Sequence, residues 1–85
     1  MKKNEEYPPL PPGYRFSPGS TMYPNDIDVI DSKGNLKEWY NARTGTVDSA
    51  KNQLFSVAVE SKEEALALLS ARFLLGMNEL TKEPS

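Results

Sequence analysis

Bulky apolar residues alternate with small or polar residues over residues 55–60, which is the period-2 pattern of a strand with one face on a core. Phe55, Val57 and Val59 alternate with Ser56, Ala58 and Glu60 in a strand predicted at residues 54–59. Ser61 then lies three residues before Glu64, which is the spacing of a capping box. In that motif the serine hydroxyl accepts from the amide of Glu64, and the glutamate carboxylate accepts from the amide of Ser61. We therefore predict a buried strand that runs directly into a capped helix beginning at Lys62.

Three earlier segments carry strand patterns of their own, at residues 14–17, 26–30 and 36–41. The second and third flank a turn in which the Asp31 carboxylate can accept from the turn amides and Gly34 can adopt a positive φ. Strands followed by one C-terminal helix predict an α+β fold, and consecutive hairpins predict that its sheet is a meander. In this fold, a small antiparallel sheet of three to four strands is packed by one C-terminal α-helix.

The segment at residues 41–52 is rich in turn formers around Gly45 and shows no strong period. We predict a loop that holds either a short strand at residues 46–47 or one helical turn at residues 48–51. A loop of this length in so small a domain is either irregular packing or a binding loop.

Both ends of the chain are predicted to lie outside a single α+β domain at residues 13–80. Residues 1–12 form a proline arm, in which four prolines surround Leu10 and exclude a helix or a central strand. This arm is either a docking motif for an aromatic groove on another protein or a stiff lead-in that packs along the domain edge. We favour the packing interpretation. Residues 81–85 are predicted to be a disordered tail.

The composition excludes several kinds of chemistry. The chain has 85 residues, enough for one domain, and contains no cysteine and no histidine. It therefore lacks the thiolate nucleophile, the commonest general base and the commonest zinc ligands. Acids that lie close together have structural explanations in a tail, a turn or a helix start, and those before Gly34 lack the spacing of a calcium loop. We predict no enzymatic activity, no cofactor and no metal site.

Charge and hydropathy place the chain in solution. The formal net charge is −2, which does not favour a polyanionic partner. Residues 1–9 have no apolar segment of the kind found in a signal peptide. The most apolar stretch, residues 65–77, is too short and too interrupted to span a bilayer. We expect no membrane association and a cytoplasmic location, in the host cytoplasm if a mobile element encodes the chain.

The helix is predicted to run from Lys62 to about Leu75, with Gly76 either as its stop or as an embedded glycine before Met77 and Leu80. On a helical wheel, the core-facing stripe contains Ala65, Leu66, Leu69, Phe73, Gly76, Met77 and Leu80. Leu68 and Leu75 fall roughly opposite this stripe, and Ala67, Ala71 and Leu74 also lie off it. The polar residues that interrupt this second side are Lys62, Ser70, Arg72 and Asn78. A solvated helix has no need of leucines on its outer side, so we predict that this side contacts a partner. The alternative is that the chain itself, including the proline arm, covers it.

The predicted strand at residues 36–41 contains the adjacent aromatic residues Trp39 and Tyr40, which must point to opposite faces of the sheet. Lys37, Arg43 and Lys51 make this the one locally basic zone, but the excess of positive charge is small. We favour an ordinary solvated face here, and a nucleic-acid interface is the alternative.

Taken together, these patterns predict a small non-catalytic module that binds a protein partner, in one version a second copy of itself. Accessory and inhibitor proteins of phages and other mobile elements act in this way, and the suggestion rests only on small size and lack of chemistry. The alternative is a small nucleic-acid-binding module that uses the basic and aromatic hairpin. The candidate partner-binding residues are Trp39, Tyr40, Arg43, Leu68, Ala71, Arg72 and Leu75.

Overall fold

Five antiparallel strands and one α-helix make up this protein in a computed structural model that describes residues 7–80. The strands are β1 (Tyr14–Pro18), β2 (Ile27–Asp31), β3 (Leu36–Asn41), β4 (Thr46–Ser49) and β5 (Ser56–Ala58). They are followed by α1 (Lys62–Leu74) and a short 3₁₀ helix (Met77–Leu80). The predicted tail at residues 81–85 and the first six residues of the proline arm lie outside the described residues. Within residues 7–80, no helix is long and apolar enough to cross a membrane.

The sheet is a meander in which the spatial order β1-β2-β3-β4-β5 follows the chain and every neighbour is antiparallel. This confirms the predicted α+β architecture, with one strand more than expected. The additional strand, β4, lies in the segment predicted as a loop and includes the short strand proposed at residues 46–47. Val47 is its single apolar residue and is fully buried, so the strand leaves almost no hydrophobic period in the sequence.

The hairpin between β2 and β3 has the predicted turn chemistry. The Asp31 carboxylate accepts from the backbone amides of Lys33 and Asn35, each at 2.9 Å, and Gly34 has a φ of 85°. A glycine tolerates this left-handed conformation because it has no Cβ. Local hydrogen bonding therefore fixes the hairpin.

One face of the sheet packs against α1 and forms the core. The buried core cluster contains Val29, Val47, Ala65, Leu69 and Phe73. Half-buried side chains close around it, among them Leu10, Phe16, Tyr40, Phe55 and Leu68. Large apolar side chains from both layers meet here, which is the main source of stability in a domain of this size.

The prediction that β5 is a buried strand is wrong. This strand lies at the edge of the sheet and its three residues are exposed, including Val57. Phe55 and Val59, on either side of the strand, are the half-buried residues that pack against the core. The period-2 pattern identified the inward-facing side chains, but an edge strand has a neighbour on one side only, so its middle remains open to solvent.

The helix begins as predicted, and Gly76 is its stop and not a glycine embedded in a longer helix. The Glu64 amide donates to the Ser61 hydroxyl at 3.1 Å, whereas the Glu64 carboxylate accepts from the amide of Glu60 at 2.7 Å and not from that of Ser61. Gly76 has a φ of 74°, typical of a residue just beyond a helix C-terminus. Because the chain turns away there, Met77 is exposed and does not continue the core stripe.

Arg72 is buried, so its predicted place on an exposed side of the helix is wrong. Its guanidinium donates two hydrogen bonds to Glu38 on β3, at 2.7 Å to Oε1 and 2.6 Å to Oε2, and lies 3.9 Å from the centre of the Phe55 ring. A planar fork that matches a carboxylate can be buried where an isolated charge cannot. Ser70 and Asn78, expected on the same side, are also buried.

The described part of the proline arm packs against the domain. The Ser70 hydroxyl donates to the Pro9 carbonyl at 2.5 Å, and Leu10 contacts the core cluster. The ring of Tyr7 lies 5.1 Å from that of Phe16. The chain itself therefore covers the side of α1 that carries Ser70, as the packing interpretation requires.

Candidate functional site

No helix or strand among residues 7–80 covers the face of the sheet opposite α1, and Trp39 lies on the middle strand of that face. Tyr40 packs on the core side, so its neighbour Trp39 points to the open face. Across the strands, Trp39 is paired with Asp28 on β2 and with Asp48 on β4. The indole is thus flanked by one carboxylate on each side.

The two carboxylates differ in their partners. Asp48 accepts from the hydroxyls of Thr46 and Ser56, at 3.0 and 2.9 Å, and from the Asn41 side-chain amide at 3.2 Å. The Asp28 carboxylate makes no hydrogen bond and no ion pair within the described residues 7–80. Partial burial, and secondly the charge of Asp26, raise the pKa of the Asp28 carboxyl. Asp28 therefore has an unused hydrogen-bonding capacity that Asp48 lacks.

Asp26 ties the loop between β1 and β2 to the turn between β3 and β4. Its buried carboxylate accepts from the Ala42 amide at 2.9 Å and from the Arg43 guanidinium at 3.3 Å. Arg43 also lies over the ring of Tyr23, 3.8 Å from its centroid. These contacts hold the loop beside the open face of the sheet.

Gly19 permits the close approach that closes this loop. Its amide donates to the Asp26 carbonyl at 2.8 Å, and a Cβ on Gly19 would lie only 2.2 Å from the backbone oxygen of Tyr23. Any other residue would therefore force the backbone to move. Glycine is required here by space and not by φ.

The loop and the sheet enclose an open cleft of about 300 Å³, which we call the Trp39 cleft. Its walls combine aromatic, carboxylate and guanidinium groups. They include Ser20, Tyr23, Asp28, Leu36, Trp39 and Arg43. Concave sites that pair apolar walls with a few polar groups are typical binding sites.

A second surface lies at the C-terminal end of α1. It consists of Ala67, Ala71, Leu74 and Leu75, which we call the helix-end surface. Leu74 is 50% exposed and Leu75 is 72% exposed. At 100° per residue, Ala67, Ala71 and Leu74 form one stripe and Leu75 adjoins it.

The structure separates the residues proposed from sequence. Trp39 and Arg43 meet at the Trp39 cleft, and Ala71 and Leu75 belong to the helix-end surface. Three others do not lie on an open surface. Tyr40 and Leu68 are half-buried against the core, and Arg72 is buried with Glu38.

Sequence reasoning missed Asp28 and Tyr23 at the cleft. It placed Leu74 on the outer side of the helix but did not name it as a candidate partner-binding residue. The alternation that buries Ile27 and Val29 does place Asp28 on the opposite face, so this signal was available. No sequence signal pairs Asp28 with Trp39, because the pairing depends on strand register.

Two further observations bear on chemistry and relationships. Among the described residues, no group of three or more acidic side chains is arranged to hold a metal ion. No protein-family model, curated protein or solved structure significantly matches this chain.

Proposed function

We propose that this protein is a small non-catalytic interaction module that binds another protein through the helix-end surface. The observation that carries the proposal is the exposure of two consecutive leucines, Leu74 and Leu75, at the C-terminal end of α1. Single exposed apolar residues are ordinary, whereas a contiguous apolar surface is typical of an interface.

The shape of the helix-end surface favours a particular binding mode. The helix-end surface is convex, with two alanines that allow close approach and two leucines that supply apolar contact. A convex apolar helix face fits into an apolar groove on a partner. The described part of the proline arm covers the helix near Ser70, but Leu74 and Leu75 stay exposed.

Self-association is the second version of this proposal. It requires the helix-end surface of one copy to meet the same surface of another about a two-fold axis, because most homodimers use such an isologous contact. Both versions bury Leu74 and Leu75, and they differ in whether purified protein alone forms the complex.

The test replaces both exposed leucines by charge and compares the result with a matched control. In the variant Leu74→Glu/Leu75→Glu we expect a captured partner from the source cell, or the dimer in sedimentation, to be lost. Leu54→Glu is the control, since Leu54 is 92% exposed and lies outside α1. It adds a charge at a leucine that is more exposed than Leu74 or Leu75 and should leave binding unchanged.

Two outcomes would contradict the proposal. One is a monomer whose set of captured proteins is the same for the wild type and the double variant. The other is equal loss of binding in Leu54→Glu, which would show a general effect of charge and no specific surface.

The geometry offers no specific support for a nucleic-acid interface on the hairpin. Trp39 lies between Asp28 and Asp48, whose charges repel phosphate, and Arg43 is already engaged by Asp26. Tyr40, the second aromatic of that hypothesis, packs on the core side.

A further inference from the structure

We propose that the Trp39 cleft binds the guanidinium group of an arginine from another molecule, held between the Asp28 carboxylate and the Trp39 ring. This site is on the opposite side of the sheet from α1 and is independent of the helix-end surface. The proposal rests on the geometry of the cleft and on a pattern that the protein repeats within its own fold.

The repeated pattern is a guanidinium between a carboxylate and an aromatic ring. Arg72 contacts the Glu38 carboxylate at 2.6 and 2.7 Å and lies 3.9 Å from the centre of the Phe55 ring. A planar cation satisfies both kinds of neighbour at once, through hydrogen bonds in its plane and through attraction to the ring across its face.

The second instance lies at the wall of the Trp39 cleft. Arg43 contacts the Asp26 carboxylate at 3.3 Å and lies 3.8 Å from the centre of the Tyr23 ring. The Asp26 charge is thereby balanced within the chain. Because Asp26 and Tyr23 already hold Arg43, these two groups are not open to an incoming cation.

Asp28 and Trp39 form a third carboxylate and aromatic pair, and no arginine of the described chain occupies it. The two residues are direct cross-strand partners on the open face, and both line the cleft. Arg15 is on the same face but is paired with Ile30, and it makes no ion pair with Asp28. Asp28 and Trp39 therefore present a carboxylate and an aromatic ring, the two kinds of group that hold Arg72 and Arg43. No arginine of residues 7–80 lies between them.

The size and charge of the cleft fit the same ligand. A volume of about 300 Å³ is at the small end of the range for ligand sites and accommodates a guanidinium with part of its aliphatic stem. Because Arg43 balances Asp26, the charge at the cleft that no described residue compensates is the negative charge of Asp28. A guanidinium suits this site better than an ammonium, since its flat face can stack on the indole.

The test uses the full chain and reads out Trp39 directly, because it is the single tryptophan. The probes are free L-arginine, the blocked tripeptide glycyl-arginyl-glycine amide, and its lysine and citrulline analogues. We expect both arginine probes to change the tryptophan emission and the amide shifts of Asp28 and Trp39 in a saturable way. Tighter binding of the tripeptide would identify a protein segment as the source of the arginine, and equal binding would identify the free amino acid.

Two controls separate the carboxylate from general effects. Asp28→Asn keeps the size of the side chain and should weaken arginine binding by about tenfold or more, because a charge-assisted bond is lost. Asp48→Asn changes the carboxylate on the other side of Trp39 and should leave the affinity within about twofold, since Asp48 already has partners. Dispersed amide spectra of both variants verify the fold.

The proposal is overturned if wild-type protein shows no saturable response to either arginine probe. It is equally overturned if the neutral citrulline analogue binds as tightly as the arginine tripeptide, a comparison that needs no variant. Unchanged affinity in a folded Asp28→Asn protein would also exclude it.

Discussion

Glu38 and Arg72 form an ion pair in the interior, with the negative charge on the middle strand β3 and the positive charge on α1. The pair joins the strand to the helix. Glu38 is 2% exposed and Arg72 is 6% exposed, and their two hydrogen bonds use both carboxylate oxygens. Removing two charges from water costs free energy that only the complete pair offsets. Removing one of the two residues should therefore lower the free energy of unfolding more than replacing both by apolar residues.

The first prediction concerns this dependence. Glu38→Gln should lower the free energy of unfolding by about 3 to 5 kcal/mol, because Arg72 is left buried without its counter-charge. The double variant Glu38→Leu/Arg72→Met should recover most of that loss, since no buried charge remains. Urea denaturation measures both.

The control for the buried pair is Arg15→Met, which removes an exposed arginine of the open face. We expect a change within about 0.5 kcal/mol for that variant. Glu38→Gln with an equally small effect would show that the pair is solvated in solution.

Asp28 and Asp31 lie on the same strand, and their surroundings displace their pKa values in opposite directions. The Asn35 backbone amide, ahead of the other hydrogen bonds of the turn, lowers the pKa of the Asp31 carboxyl. Burial and the charge of Asp26 raise the pKa of Asp28. Asp31 is thus stabilised as a carboxylate by its turn, whereas Asp28 is ionised at some expense of stability.

The second prediction follows from the sign of the Asp28 shift. A carboxyl whose pKa is raised in the folded state destabilises the fold once pH rises above the ordinary value of 3.8 and through the folded pKa. Asp28→Asn should therefore raise the free energy of unfolding near neutral pH, and the gain should shrink below pH 3.8. Urea midpoints across this pH range measure it.

A gain of the same size at both ends of the pH range would contradict this account, because it would show that ionisation of Asp28 is not the cause. The parallel variant Asp31→Asn should behave oppositely. The lowered pKa makes the Asp31 carboxylate stabilising above 3.8, so this variant should lose stability near neutral pH and less at lower pH.

At the scale of elements, α1 has three different sides. One packs on β3 and β4, one is covered by the proline arm at Ser70, and one ends in the exposed leucines. The arm and the helix are distant in sequence, and the contact between Ser70 and Pro9 joins them. A short helix surrounded on two sides by its own chain can still expose the third.

The third prediction concerns the arm. Ser70→Ala removes the hydroxyl that donates to the Pro9 carbonyl and should lower the free energy of unfolding by about 1 kcal/mol. It should also increase proteolytic cleavage in the arm, since a contact that holds it is lost. Ser32→Ala, at an exposed serine of the β2–β3 turn, is the matched control. Unchanged cleavage and stability in Ser70→Ala would show that the arm does not rest on the helix in solution.

At the scale of the whole molecule, a single meander sheet separates two surfaces. Its core face carries α1 and, on the outer side of that helix, the helix-end surface. Its open face carries the Trp39 cleft. The described residues form five strands and one α-helix, so the helix covers one sheet face only. The polar groups of the Trp39 cleft lie on the other face.

The candidate site was predictable only in part. Trp39, Arg43, Ala71 and Leu75 could be proposed from their types and spacing. The failure at Arg72 came from its charged type, because at 100° per residue Arg72 lies about 20° from Ala65 on the wheel, beside the core stripe. A long arginine beside the core stripe can bend toward a carboxylate on the sheet.

Local features of this protein could be predicted from the sequence: the meander of hairpins, the turn at Asp31 and Gly34, and the start of the helix at Ser61. These depend on hydrogen bonds and periodicity between residues a few positions apart, which any chain with those residues reproduces. Long-range contacts established that β4 exists, that Arg72 is buried with Glu38, and that the Asp28 carboxylate beside Trp39 has no partner among residues 7–80. Each of these depends on strand register and on neighbours distant in sequence, and contacts of that kind are formed by packing, which no local pattern encodes.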